Sequence, residues 1–144
     1  VDRIKIAQRL NEQRPRELPP LNICLQVNMS GEATKAGIPP TETRALAEAV
    51  SKLPHLKLRG LMAIPAREQD PAHQRPPFHQ LHSLFEQLNA GGFNLDTLSM
   101  GMSNDMEAAI AEGATLVRLG TAIFGPRRVR AKNQPEESLS TDQI

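Results

Sequence analysis

An α/β fold built on a parallel sheet follows from three features of the 144-residue sequence. Short β-rich runs alternate with segments of helical periodicity, the alternation recurs at spacings of roughly 20 to 35 residues, and Pro or Gly punctuates most junctions. A chain of this length suits one domain and buries roughly two thirds of its unfolded surface.

The elements read in order as follows. Ile4, Ala7 and Leu10, with Ile6 beside them, recur at helical spacing, and Asp2 is placed to serve as N-cap or first-turn acid of that helix. A helix that opens at residue 1 without an initiator Met reads as cut from a longer chain. Residues 21–28 form a first strand, bounded by Pro19 and Pro20. A helix starts at Pro39-Pro40-Thr41-Glu42, presents Leu46, Ala49, Val50 and Leu53 on one face, and stops at Pro54. Residues 56–64 form a second strand ended by Pro65, and 67–77 a polar loop. Phe78, Leu81, Leu84, Phe85 and Leu88 mark a third helix, closed by Gly91-Gly92. Residues 96–100 predict a third strand, 104–112 a short helix ended by Gly113, and 115–119 a fourth strand.

Two architectures fit this order: a doubly wound open sheet and part of a (β/α)8 barrel. The turn from Asn28 to Pro39 lacks a GxGxxG fingerprint, which disfavours the nucleotide-binding version of the first. A complete barrel takes about 250 residues, so about four βα units in this chain amount to half of one. The expected organisation is a half-barrel over residues 1–128 and a flexible tail over 129–144. Strands 21–28 and 115–119 would then both be sheet edges, and the inner face would lie open.

Composition narrows the function classes. Seventeen basic against sixteen acidic residues leave a net charge of +1, and aromatics are 3% with no Trp or Tyr. Nucleic acid, which needs a basic face or stacking platforms, is not an expected partner. No apolar run approaches a membrane span. The single cysteine, Cys24, excludes an internal disulfide, and its place in an apolar run reads as a small buried hydrophobe rather than a reactive thiol. A cytoplasmic protein is expected.

In a parallel α/β protein, function gathers where the strands end at their C-termini. Ser99-Met100-Gly101-Met102-Ser103 leads into the helix beginning at Asn104-Asp105-Met106, offering two hydroxyls, a flexible glycine and free N–H groups. Gly120-Thr121 adds another glycine and hydroxyl at the neighbouring strand end. Together these suit a phosphate; N-capping by Ser103 and tight turns at the glycines are the alternative. Arg118, flanked by Val117 and Leu119, must be paired or face a polar site, so it either holds a ligand or forms a salt bridge to a barrel carboxylate. Of His55, His73, His79 and His82, His79 and His82 stand at i, i+3 on one helix, but no Asp, Glu or Cys completes a ligand set nearby in sequence, and a metal site is not expected. Lys35 reads as an ion pair with Glu32 or an anion contact, not a nucleophile. No catalytic acid/base pair is identifiable.

Four stretches then carry a resemblance: Gln26-Val27-Asn28 with Glu32, Lys35 and Gly37; residues 58–65, Leu-Arg-Gly-Leu-Met-Ala-Ile-Pro; residues 98–110; and residues 117–125, Val-Arg-Leu-Gly-Thr-Ala-Ile-Phe-Gly. In combination and order they resemble the pyridoxal phosphate homeostasis proteins, also called proline synthetase co-transcribed homologues. The resemblance implies a barrel of the alanine racemase N-terminal-domain type with pyridoxal 5′-phosphate (PLP) in its mouth. It implies that Ser99, Met100, Gly101, Ser103, Gly120 and Thr121 surround the phosphate and that Arg118 faces the pyridine nitrogen. The implied role is non-enzymatic buffering or delivery of the cofactor in vitamin B6 homeostasis. The alternative is a racemase-like enzyme of the same fold, against which stands the absence of a tyrosine acid/base. In that family the lysine that holds the cofactor covalently lies in an N-terminal half outside this sequence, and Lys35 matches a different position. Expected partners are therefore the cofactor and another half-barrel or an N-terminal fragment.

Overall fold

The computed structural model describes residues 1–32 and 34–126. The expected tail, 129–144, lies outside the described residues.

Helix α1 spans Ile4–Gln13 and buries Ala7 completely. Asp2 does not cap it: Arg3 occupies the N-cap position without a side-chain bond, and the Asp2 carboxylate takes the Arg3 guanidinium at 3.1 Å instead. Strand β1 covers Leu21–Gln26, and a 3-10 turn at Pro40–Glu42 leads into α2, Thr43–Val50. Strand β2 runs Leu56–Met62. Helix α3, Pro71–Ala90, starts seven residues before the expected Phe78. Asp70 is its N-cap, accepting the Ala72 N–H at 3.0 Å, and Pro71 stands in the first turn, where a missing N–H costs nothing. Pro76 and Pro77 lie inside the helix, so the carbonyls of Ala72 and His73 lose their i+4 donors, but both Ala72 and His73 are exposed, so those carbonyls are open to solvent. The polar loop expected over 67–77 is thus largely helix.

Strand β3 is three residues long, Thr97–Ser99, followed by α4 at Met106–Ala111 and α5 at Thr121–Phe124. The fourth strand expected at 115–119 does not form. Leu116 makes a single parallel bridge to Ser99, with Met100 N–H on its carbonyl at 3.1 Å. The regular ladder ends as Gly101, at φ 94°, bends the backbone two residues past the bridge, where its carbonyl still accepts the Arg118 N–H at 3.0 Å.

The sheet order is β1-β2-β3, all parallel. Sequential order with crossovers of one hand places every helix on the same face, which is a barrel arc and not a doubly wound sheet. Side-chain burial agrees. Ile23, Leu25 and Val27 of the first strand region, Leu61 and Ala63 of the second, and Leu98 and Met100 of the third are buried with Phe78, Leu81, Phe85 and Leu88 of α3. Each of these side chains larger than Ala63 contributes about 1.5–3 kcal/mol by leaving water. Cys24, Gln26 and Met62 alternate onto the other face and are only half-buried. Cys24 is therefore not in the core.

Two local features fix the register. Between Ile23 and Cys24 the pairing skips Arg59, so β2 carries a bulge there. Gly60 follows it because a Cβ at that position would sit 1.7 Å from the Thr97 carbonyl oxygen. The outer edge of β1, expected to be bare, is met along its C-terminal half. Val1 N donates to the Cys24 carbonyl at 2.9 Å and the Val1 carbonyl accepts Gln26 N–H at 2.8 Å. Ile38 then repeats the pattern one step on, to the Gln26 carbonyl and the Asn28 N–H.

Candidate functional site

The C-terminal ends of the three strands and of the 115–119 segment share one rim. Asn28 organises the first loop through its own amide. Its Oδ1 accepts Ser30 N–H and Oγ–H, and its Nδ2 donates to the Glu32 and Lys35 carbonyls. Lys35 Nζ lies 3.6 Å from Glu32 Oε2, the ion pair expected from the sequence.

The third and fourth segments are tied directly together. Gly101 carries φ 94°, and a Cβ there would fall 2.5 Å from the Ala109 Cβ, so only glycine lets this loop lie against α4. Ser103 Oγ is not an N-cap: it accepts the Ala122 N–H at 3.1 Å, bridging the two loops. The Asp105 carboxylate accepts the Met102 N–H at 2.6 Å and shapes the loop between them. Ser103, Gly120 and Thr121 are thereby brought together. Among the described residues, nothing accepts the N–H groups of Gly101, Ser103, Gly120 or Thr121. Gly120 has φ −116°, a value open to any residue, and nothing lies within 4 Å of where its Cβ would be. Neither the fold's sterics nor its backbone angle calls for a glycine there.

Met100 is fully buried with its side chain on the helix face, so only its backbone can reach the rim. Ser99, 7% exposed, is turned toward Arg118. One guanidinium nitrogen, Nη1, donates to the Ser99 carbonyl at 3.0 Å and to the Ser99 hydroxyl at 2.5 Å, and Nη2 donates to the Ala63 carbonyl at 3.0 Å. The salt bridge weighed for Arg118 is absent among the described residues. Burial pushes its pKa down, against the weaker pull of Asp105. It remains a cation, because guanidinium does not deprotonate in proteins.

Side chains alone gave no sign of the Ala63 carbonyl or the Ala122 N–H, since backbone groups have no residue-type signature. A second cluster was also missed. Glu112, nearly buried at the end of α4, accepts from Arg75 Nη2 at 2.6 Å and lies 3.0 Å from His79 Nδ1. Arg75 foremost, with His79, holds its carboxyl below the usual range. Arg75 and His79 are i, i+4 on α3, but a carboxylate from another helix could not be placed beside them by spacing.

Known proteins resemble this chain closely. The pyridoxal phosphate homeostasis protein of Pseudomonas aeruginosa is 64% identical over 127 residues, which are 88% of this chain and 54% of that protein. The protein of the same name from Escherichia coli K12 is 55% identical over 127 residues, with the same two shares. PipY of Synechococcus elongatus, solved with PLP bound, superposes with a TM-score of 0.76 at 35% identity, covering 87% of this chain and 58% of that one. The chain thus spans about half the length of the curated relatives it matches. Residues 1–128 match the family model of the alanine racemase N-terminal domain, and with the one-sided parallel sheet already described, the chain belongs to that family.

Proposed function

We propose that this chain supplies the phosphate and ring contacts of a PLP site in a non-enzymatic, cytoplasmic protein that buffers or delivers the cofactor. One observation carries the reading: a fixed guanidinium stands beside a rim of backbone N–H groups, and among the described residues neither has a carboxylate or other acceptor to satisfy it fully. A ligand that joins a phosphate dianion to an aromatic ring with an unprotonated nitrogen matches both halves of that arrangement. Relatives named for pyridoxal phosphate homeostasis, and a neighbour with PLP bound, support it.

The residues fit the group in detail. Ser103, Gly120 and Thr121, with Gly101 behind them, would hold the phosphate, and the open space over Gly120 admits a close approach of ligand to backbone. Arg118 would face the ring nitrogen and keep it unprotonated, since a guanidinium donates a hydrogen bond without giving up its proton. When bound, PLP supplies an aldehyde and an electron-withdrawing ring; an unprotonated nitrogen makes that ring a weaker electron sink, which suits storage better than catalysis. Met100 contributes backbone only.

Equilibrium dialysis of the chain against PLP, pyridoxal and inorganic phosphate tests the reading. Saturable binding of PLP, weaker binding of pyridoxal and loss of that preference in Gly120→Val are expected. Equal retention of PLP and pyridoxal would show that no phosphate cradle exists.

A further inference from the structure

The Ser99 hydroxyl oxygen accepts from Arg118 Nη1, a contact that gives Ser99 a role beyond lining that rim. We propose that Ser99 is a positioning residue: its hydroxyl and carbonyl, with the carbonyl of Ala63, immobilise the Arg118 guanidinium across the ends of β2 and β3 while leaving its charge uncompensated. Three neutral acceptors take three of the five guanidinium N–H groups. Among the described residues, nothing accepts the Nε–H or the remaining Nη2–H. The nearest carboxylate to influence Arg118, Asp105, is committed to the Met102 N–H.

The chemistry of the clamp matters as much as its geometry. A carboxylate in place of Ser99 would hold the guanidinium equally well but neutralise it, and a ligand's acceptor would then compete with an internal anion. A hydroxyl and two carbonyls fix the fork at full charge. Holding it in advance also removes the entropy a free arginine loses on meeting a ligand. The device selects ligands that present a lone pair or negative charge at a fixed place, and only this last step rests on the PLP reading above.

Nitrogen-15 spectra of the arginine side chains in the ligand-free chain test the clamp directly. A held guanidinium rotates slowly about Nε–Cζ, so Arg118 should show separate Nη1 and Nη2 signals, unlike exposed Arg9, and Arg118→Lys assigns them by their loss. Ser99→Ala should merge those signals, Ser99→Thr should restore them, and PLP affinity should fall about tenfold in the alanine variant with inorganic phosphate unchanged. If Ser99→Ala does not fold, Ser99→Cys keeps the volume with a poor acceptor and should give the same result. Merged signals in the unaltered chain, or signals indifferent to the Ser99 hydroxyl, overturn the proposal. Failure of PLP to bind while the spectra respond as described overturns the ligand reading and leaves the clamp standing.

Discussion

The two faces of the sheet are built by different rules. On the helix side, Leu25, Leu61, Leu81 and Phe78 are at most 1% exposed, and every strand contributes an apolar side chain. On the other side stand Cys24, Gln26, Met62, Ser99 and Arg118, mixed in chemistry, with Leu116 46% exposed at the margin. One face carries the burial that holds the chain together; the other carries polar groups with fixed positions and spare hydrogen-bonding capacity. Alternation along each strand makes this division possible, since neighbouring residues answer to separate demands.

Substitutions that respect the division should separate stability from binding. The largest loss is expected from Phe78→Ala, which empties a side-chain volume at the centre of the helix-side core and should cost about 3–5 kcal/mol. Urea titration of the two chains measures it. Met62→Ala, on the opposite face, should cost well under half as much. Equal costs would mean that the open face is packed as tightly as the covered one.

Gly101→Ala comes next. The new Cβ meets Ala109 at 2.5 Å, and φ 94° is unfavourable for any L side chain, so about 1–3 kcal/mol is expected. Its signature should be loss of the Ser103–Ala122 contact, visible as faster amide exchange at Ala122, because the loop cannot stay seated on α4.

Much of the covered face was legible in the sequence. Ile23, Leu25 and Val27 announce a strand by alternation, and Leu46, Val50, Phe78, Leu81 and Leu88 announce helices by period, because burial against one layer imposes those periods. The rim segments were legible as strand ends rich in glycine and hydroxyls. What escaped reading depended on contacts between distant segments or on backbone atoms. The start of α3 was hidden because Pro76 and Pro77 look like breakers, although Asp70-Pro71 carried the start signal. Cys24 was assigned to the core because its neighbours are apolar, when parity puts it on the opposite face. The fourth strand failed because strand propensity at 115–119 found only three residues of β3 to pair with. Arg118 was recognisable as anomalous, but its clamp is made largely of carbonyls.

Acid should weaken the chain in a defined window. The Arg59 guanidinium, foremost, and the Thr97 hydroxyl hold Asp96 down to about 2, and Arg75 with His79 holds Glu112 below its ordinary value. Both folded-state values are depressed, so the unfolded chain binds protons first as pH falls. The stabilisation is fully present above the ordinary carboxylate range and is lost progressively as pH drops through the depressed values. Glu112→Gln should flatten the acid limb of stability against pH more than Asp96→Asn does, since Asp96 and Arg59 form a solvent-screened surface pair. Urea midpoints between neutral pH and pH 2.5 decide it; identical acid limbs in all three chains would remove these two carboxylates from the account.

The smallest effect on stability should come from Leu116→Ser, and it bears most directly on what the open face is for. Leu116 contributes its backbone to the bridge with Ser99, and serine keeps that bond. Its side chain is nearly half exposed and lies two residues before Arg118, so replacing it deprives the core of nothing and should shift stability by about 0.5 kcal/mol or less. Exposed apolar side chains of this kind do act between molecules, and Ile64 at the end of the second strand region is exposed to the same 46%. Ser at both positions should therefore leave the urea midpoint where it is while lowering the sedimentation coefficient at micromolar concentration, if the open face draws chains together. A midpoint that falls as far as in Phe78→Ala would place Leu116 and Ile64 in the folding core and erase the distinction between the faces. An unchanged midpoint with unchanged sedimentation would keep the distinction and leave association to the exposed strand edges, such as the N-terminal half of β1.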